Sequence, residues 1–289
     1  MGQRDYFDKK PTLGEKNNAL VFLFTVNTIV FLILIFLKLV FLLEYRAEAD
    51  AQFIDKVLYW FTLSPEASQL LYKPWSIIIY AFTNLSLMGF LSNMLWLWSF
   101  GYILQDLIGN KKLIPIYLYG AFIGGLFFIL VSFILKTDVN YLNEGSNTAI
   151  LAVAIATTTL SPNYKIFQHI GSGFSLWILT VVFVVIDVSF ISFTNWAVVA
   201  SHVVAAFVGF IFIQQIKKGN DWSNWMYALS NYLGNMFSPK SSQENKAQTT
   251  TIKLNSDQEK VDTILDKINM NGYDSLSKSE KEFLENLKK

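Results

Sequence analysis

The chain has 289 residues, 53% of them hydrophobic and 16% charged, with a net charge of +1. A soluble domain carries nearer ~25% charged residues, so the composition and the long apolar runs exclude an ordinary soluble protein and indicate a polytopic membrane protein. The near-zero charge gives no purchase on nucleic acid. The absence of cysteine removes any disulfide framework, thiol nucleophile or Cys-based metal site, and no pattern in the chain calls for a cofactor or a metal.

Residues 1–18, MGQRDYFDKKPTLGEKNN, are polar. The first apolar run, Ala19–Leu43, has no small-residue cleavage site behind it and is expected to be a retained span, not a cleaved signal. Its one interior charge, Lys38, lies near enough to the interface to snorkel. The loop Glu44–Lys73 carries an amphipathic piece, FIDKVLYWFTLSP, whose Tyr59, Trp60 and Phe61 suit a membrane surface. Span two is expected over about Ile77–Leu104, carrying Asn84 and Asn93. Span three follows over Leu113–Leu135, with Gly120, Gly124 and Gly125 allowing close helix approach.

Span four is short. Thr148–Leu160 reaches only ~20 Å at ~1.5 Å per residue, too short for a hydrocarbon core of ~30 Å. It is opened by an irregular loop, YLNEGSN, which must therefore begin part-way down the membrane. Irregular backbone survives there only where protein buries it or where it lines a wet cavity. The loop is expected to form the floor of a water-filled pocket. Span five is expected over Phe174–Phe193, with Asp187, and span six over Trp196–Ile216, with His202.

Orientation follows from basic residues near the spans. Arg4, Lys9, Lys10, Lys16, Lys111, Lys112, Lys165, Lys217 and Lys218 collect on one side; Arg46, Lys56, Lys73 and Lys136 collect on the other. Six spans then place both termini in the cytoplasm. The expected layout is a cytoplasmic segment 1–18, a six-helix membrane domain 19–220, a linker 221–255 and a cytoplasmic helical hairpin 256–289. In the hairpin, Val261, Ile264, Leu265 and Ile268 share a helical face, Gly272 is a C-terminal stop, and Ser277 with Glu280 forms a capping box.

Few residues could carry chemistry. An ionisable residue inside a span is a functional candidate by default, which singles out His202; the alternative is a neutral histidine hydrogen-bonded between helices. Asp187 reads as a structural partner, and His169 as a solvated loop residue beside Lys165. Ser146 and Asn147 open span four. A serine near a mid-membrane histidine suggests a dyad in which His202 takes the hydroxyl proton and Ser146 attacks a carbonyl; a turn or helix cap explains both loop residues equally. Ala149, Ala152 and Ala156 share one face of span four, and Ala205 and Gly209 form a small-xxx-small pair on span six. Such pairs let backbones pack closely and would bring the loop towards His202.

With KPWSIIIYAFTN, SNMLWLWSFG, the loop before the short span, TLSPN after it and SHVVAAFVGF in this order, about Lys73–Trp222 resembles the rhomboid family of intramembrane serine proteases. The tail LDKINMNGYDSLSKSEKEFL resembles a short cytoplasmic appendage of some bacterial rhomboid-like proteins. The resemblance implies an all-α, six-helix rhomboid-like bundle in a bacterial inner membrane, acting on transmembrane segments of other proteins within the bilayer.

Carried over residue by residue, it implies His202 as base and Asn93 on the oxyanion side. The family pairs that Asn with a His four residues earlier, where this chain has Gly89. Counting back from Pro162 and Ala149 puts Asn147 at the nucleophile position, with Ser146 one residue out of register. Near the base, Val204 and Ala205 stand where the family keeps small glycines, with Gly209 retained. An amide is not an acyl-transfer nucleophile, so the expectation is a non-proteolytic binder of transmembrane clients; the alternative is an active endopeptidase using Ser146 and His202.

Overall fold

The computed structural model of the protein describes residues 18–137, 143–166, 173–190 and 195–226, with Ile264, Ser277 and Glu280. His169 lies outside the described residues, as does most of the expected hairpin. The chain divides into two units, Met1–Met226 and Tyr227–Lys289.

The regular structure among the described residues of the first unit is helical, with one two-stranded ribbon. Helix α1, Ala19–Tyr45, is capped by Asn18, whose side chain accepts from the Leu20 and Val21 amides. Short helical pieces follow: α2, Ala49–Phe53; a turn, Ile54–Leu58; α3, Tyr59–Phe61; α4, Ala67–Tyr72; α5, Ser76–Ile79. The amphipathic piece behaves as its pattern requires. Phe53, Val57 and Leu58 pack on Leu34 of α1, while Asp55 and Lys56 face outwards. Trp60 and Trp75 stack at 6.0 Å between ring centres, both partly exposed.

The long helices are α6, Leu87–Ile108, α7, Leu113–Leu135, and α10, Trp196–Lys217. Between α7 and α10 come the shorter α8, Ser146–Leu160, and α9, Leu176–Phe190. Among the described residues, four helical stretches are long and apolar enough to cross a membrane: Ala19–Phe61, Leu87–Ile108, Asn110–Leu135 and Trp196–Lys217. The protein is thus a polytopic helical membrane protein. Helix length alone does not carry the expected count of six, because α8 and α9 at 15 residues each reach only ~22 Å.

Span two was expected to run unbroken from Ile77; the chain instead bends at 83–86, and α6 starts at Leu87. The apolar run conceals the break. Ser86 takes an extended conformation and caps α6, accepting from the Gly89 amide at 3.0 Å. The ribbon was also not foreseen: β1, Lys165–Ile166, pairs antiparallel with β2, Phe174–Ser175, so span five begins as strand.

Helix α8 is the centre of the bundle. Ser146, Thr148–Ala154, Ala156 and Thr157 are buried, because α8 is walled by α7 and α10. Its small residues permit this. A Cβ on Gly120 of α7 would collide with the Ala152 side chain, and one on Gly209 of α10 would collide with the Ala152 carbonyl. Ala152 is therefore held between two glycines, the close backbone approach that the small-residue spacing anticipates. At the far end of α7, Lys112 pairs with Asp221 and donates to Ser223 at 2.8 Å, and Tyr119 donates to the Trp222 carbonyl at 3.0 Å. These contacts fasten the segment after α10 to the start of α7. In the tail, Ser277 N donates to Glu280 Oε2 at 2.8 Å and Glu280 N to Ser277 Oγ at 3.4 Å, the reciprocal bonds of a capping box.

Candidate functional site

The loop into α8 is stitched to three separate segments. Asn143 exchanges both backbone bonds with Leu63 at 3.0 Å, Gly145 N donates to the Tyr80 carbonyl at 2.9 Å, and Leu85 N donates to Glu144 Oε2 at 2.7 Å. The Tyr80 ring lies flat where a side chain on Gly145 would be, and its hydroxyl donates to the Ala121 carbonyl. Irregular backbone at this depth is thus satisfied by protein groups. Within the loop Asn143, Gly145 and Ser146 are buried, while Glu144 and Asn147 are half-buried. A nearby cavity is lined by Thr62, Leu63, Ser64, Gln69, Lys73 and Ile129 among others, and its lining includes none of Ser146, Asn147 and His202.

Two polar clusters start from this loop and diverge. Ser146, the first residue of α8 and fully buried, donates its hydroxyl to Asn27 Oδ1 on α1 at 3.2 Å. Asn27 donates to the Leu23 carbonyl at 2.9 Å and to the Tyr117 hydroxyl at 3.2 Å, and Tyr117 donates to the Ala81 carbonyl at 2.6 Å. Asn84 Nδ2 donates to Asn27 Oδ1 at 3.4 Å, and Asn84 Oδ1 accepts from Asn93 Nδ2 at 2.8 Å. Ser146 and Asn93 therefore belong to one network centred on Asn27.

The second cluster holds the other two candidates. Asn147 Oδ1 accepts from the Thr148 amide at 3.1 Å, and its side chain lies beside the Asp187 carboxyl on α9. Asp187 Oδ2 lies 3.6 Å from His202 Nε2, with both side chains 5% exposed. His202 Nδ1 sits 2.9 Å from the Val198 carbonyl and 3.4 Å from Ser201 Oγ. The Nε2 atom has no hydrogen-bond partner, so the Ser146 hydroxyl does not reach it. Gly89, in the first turn of α6, presents only its backbone, with its amide spent on Ser86. Among the described residues no group of three or more His, Cys, Asp or Glu could hold a metal ion.

Asn27, Tyr117 and Glu144 were not singled out from sequence. Asn27 carries a legible signal in retrospect, being the one amide in the apolar run of α1. Tyr117 offers none, because a tyrosine in a membrane helix has many ordinary placements. Asp187 was legible as a buried acid but not as the partner of His202.

Residues 250–289 match a Family of unknown function (DUF6576). No curated protein matches the chain. Residues 72–217, just over half of the chain and covering α5 to α10, match the Rhomboid domain; the chain belongs to the rhomboid family.

Proposed function

We propose that this protein is a non-proteolytic member of its family, an integral membrane protein that binds transmembrane segments of client proteins without cutting them. Rhomboid proteins act within the bilayer on transmembrane segments, and that setting is retained: a helical membrane bundle with a buried, polar-lined α8 N-terminus. The observation that carries the non-proteolytic part is the split between Ser146 and His202. The serine hydroxyl is committed to Asn27, and the histidine faces Asp187. A Ser–His pair needs direct hydrogen-bond reach to activate the hydroxyl. The side chain at the nucleophile register is the Asn147 amide, which forms no acyl-enzyme. Asn93, on the oxyanion side, is tied to Asn84, and Gly89 supplies no side-chain donor. The proposed setting is a bacterial inner membrane with both termini in the cytoplasm.

The test uses full-length protein in detergent, wild type beside Ser146→Ala and His202→Ala, with a fluorophosphonate probe and a transmembrane substrate. The expected result is no labelling and no cleavage by any of the three. Labelling or cleavage by wild type that both substitutions abolish would overturn the proposal and make Ser146 the nucleophile and His202 the base of an active endopeptidase.

A further inference from the structure

We propose that Asp187 and His202 form an intramembrane proton-binding site, in which one proton shared between the carboxyl and Nε2 joins α9 to α10. The geometry leaves little choice. His202 Nδ1 faces two oxygens, the Val198 carbonyl at 2.9 Å and Ser201 Oγ at 3.4 Å. Ser201 spends its own proton on that same carbonyl at 2.8 Å. Both neighbours of Nδ1 are therefore acceptors, and Nδ1 must carry hydrogen. In a neutral imidazole the other nitrogen then presents a lone pair. That lone pair would point at Asp187 Oδ2, 3.6 Å away. Were the carboxyl ionised, a lone pair would face an anion in a site almost closed to water.

One added proton removes the conflict in either of two ways. Placed on Nε2 it makes an imidazolium–carboxylate pair; placed on Oδ2 it makes a carboxylic acid donating to a neutral imidazole. Both forms are net neutral, as membrane burial favours.

Among the described residues of the four helices α6, α7, α8 and α10, no charged group besides His202 is placed to pair with Asp187. Helix α8 contributes the Asn147 amide, which lies beside Asp187 and carries no charge. On α9 Asp187 is the only ionisable residue, and on α10 the only one besides His202 is the terminal Lys217, ~22 Å away along the helix. Helix α7 has no acidic or basic residue, and the one on α6, Asp106, is engaged by Tyr164 near that helix's end. The contact also has a mechanical role. The outer surface of α9, with Trp177, Val181 and Val185, is exposed. Its first half is held by Phe183 against Trp96 and Phe100. Asp187 is the polar attachment of its second half.

The proposal does not rest on the absence of proteolysis. The chain has two histidines, so His169→Gln leaves His202 as a single ring to observe. The experiment records nitrogen-15 histidine NMR spectra and infrared spectra of full-length His169→Gln protein in lipid nanodiscs at neutral pH, with and without Asp187→Asn. The expected result is either a protonated Nε2 or a protonated-carboxyl band, abolished by Asp187→Asn. A bare Nε2 lone pair together with no protonated-carboxyl band in the Asp187 protein would overturn the proposal. That outcome is read without the second substitution, so a failure of Asp187→Asn to fold does not protect the idea; His202→Gln gives an independent check on the carboxyl band.

Discussion

The Ser146 hydroxyl donates to Asn27 Oδ1 at 3.2 Å across 119 residues of sequence. This bond ties the N-terminus of α8 to the first half of α1, and through Asn84 and Tyr117 to two further segments. It makes Asn27 the hub of a buried network, and the two ends of the bond are unequal. Ser146 donates once, whereas Asn27 serves several partners.

Asn27→Leu should therefore be the more damaging change. It strips partners from Ser146 and Asn84, each buried group left unsatisfied costing ~1–3 kcal/mol in a protein interior and averaging nearer ~0.6 kcal/mol per bond between membrane helices. Ser146→Ala should cost about 1 kcal/mol or less. Thermal unfolding followed by intrinsic tryptophan fluorescence in detergent gives the order. A larger loss for Ser146→Ala than for Asn27→Leu would show that Asn27 is not the hub.

Gly209→Ala should loosen the bundle although it adds one methyl group. That methyl meets the Ala152 backbone carbonyl, which cannot rotate away, so α8 and α10 must separate. Overpacking of this kind costs ~1–3 kcal/mol. Gly89→Ala is the comparison, since its new methyl would meet only the Ser86 hydroxyl at 2.7 Å, the tip of a side chain that can turn away with loss of no more than its cap on α6. Equal unfolding midpoints for the two variants would refute the tight α8–α10 contact.

Lys73 predicts a pH dependence. It is 5% exposed, lies over the Tyr59 ring and donates to the Tyr59 carbonyl at 3.1 Å. Burial lowers its amine from 10.5 to about 8. The folded pKa is depressed, so between those values the unfolded chain holds more protons than the folded one. Its contribution to stability should rise with pH through that window, the cost of burying the charge being fully present below about 8 and gone above 10.5. Other groups titrate there too, so the quantity to measure is the difference between wild type and Lys73→Met across the window. A difference that stays flat with pH would contradict the assignment.

The nine-to-four bias of basic residues predicts topology. A reporter fused after Lys218 should be active on the cytoplasmic face. Activity on the opposite face would invert the proposed orientation.

The sequence by itself determined the membrane class, the long helices α1, α7 and α10, the shortness of α8 and the glycine-to-alanine packing around Ala152. Each is a local signal: run length sets how far a helix reaches, and small residues at helical spacing set how closely it packs. That Ser146 and Asn147 point in different directions was also legible, because consecutive residues on a helix point about 100° apart. Only the tertiary structure decided which polar group meets which. Whether Ser146 turns to Asn27, or Asp187 to His202, depends on the rotation and depth of helices far apart in the chain, and no spacing within one helix encodes that. The break at 83–86 was hidden for a related reason. An apolar run reads as one helix until Ser86 caps α6 and Asn84 finds partners across the bundle, and those partners exist only once α1 and α6 have packed.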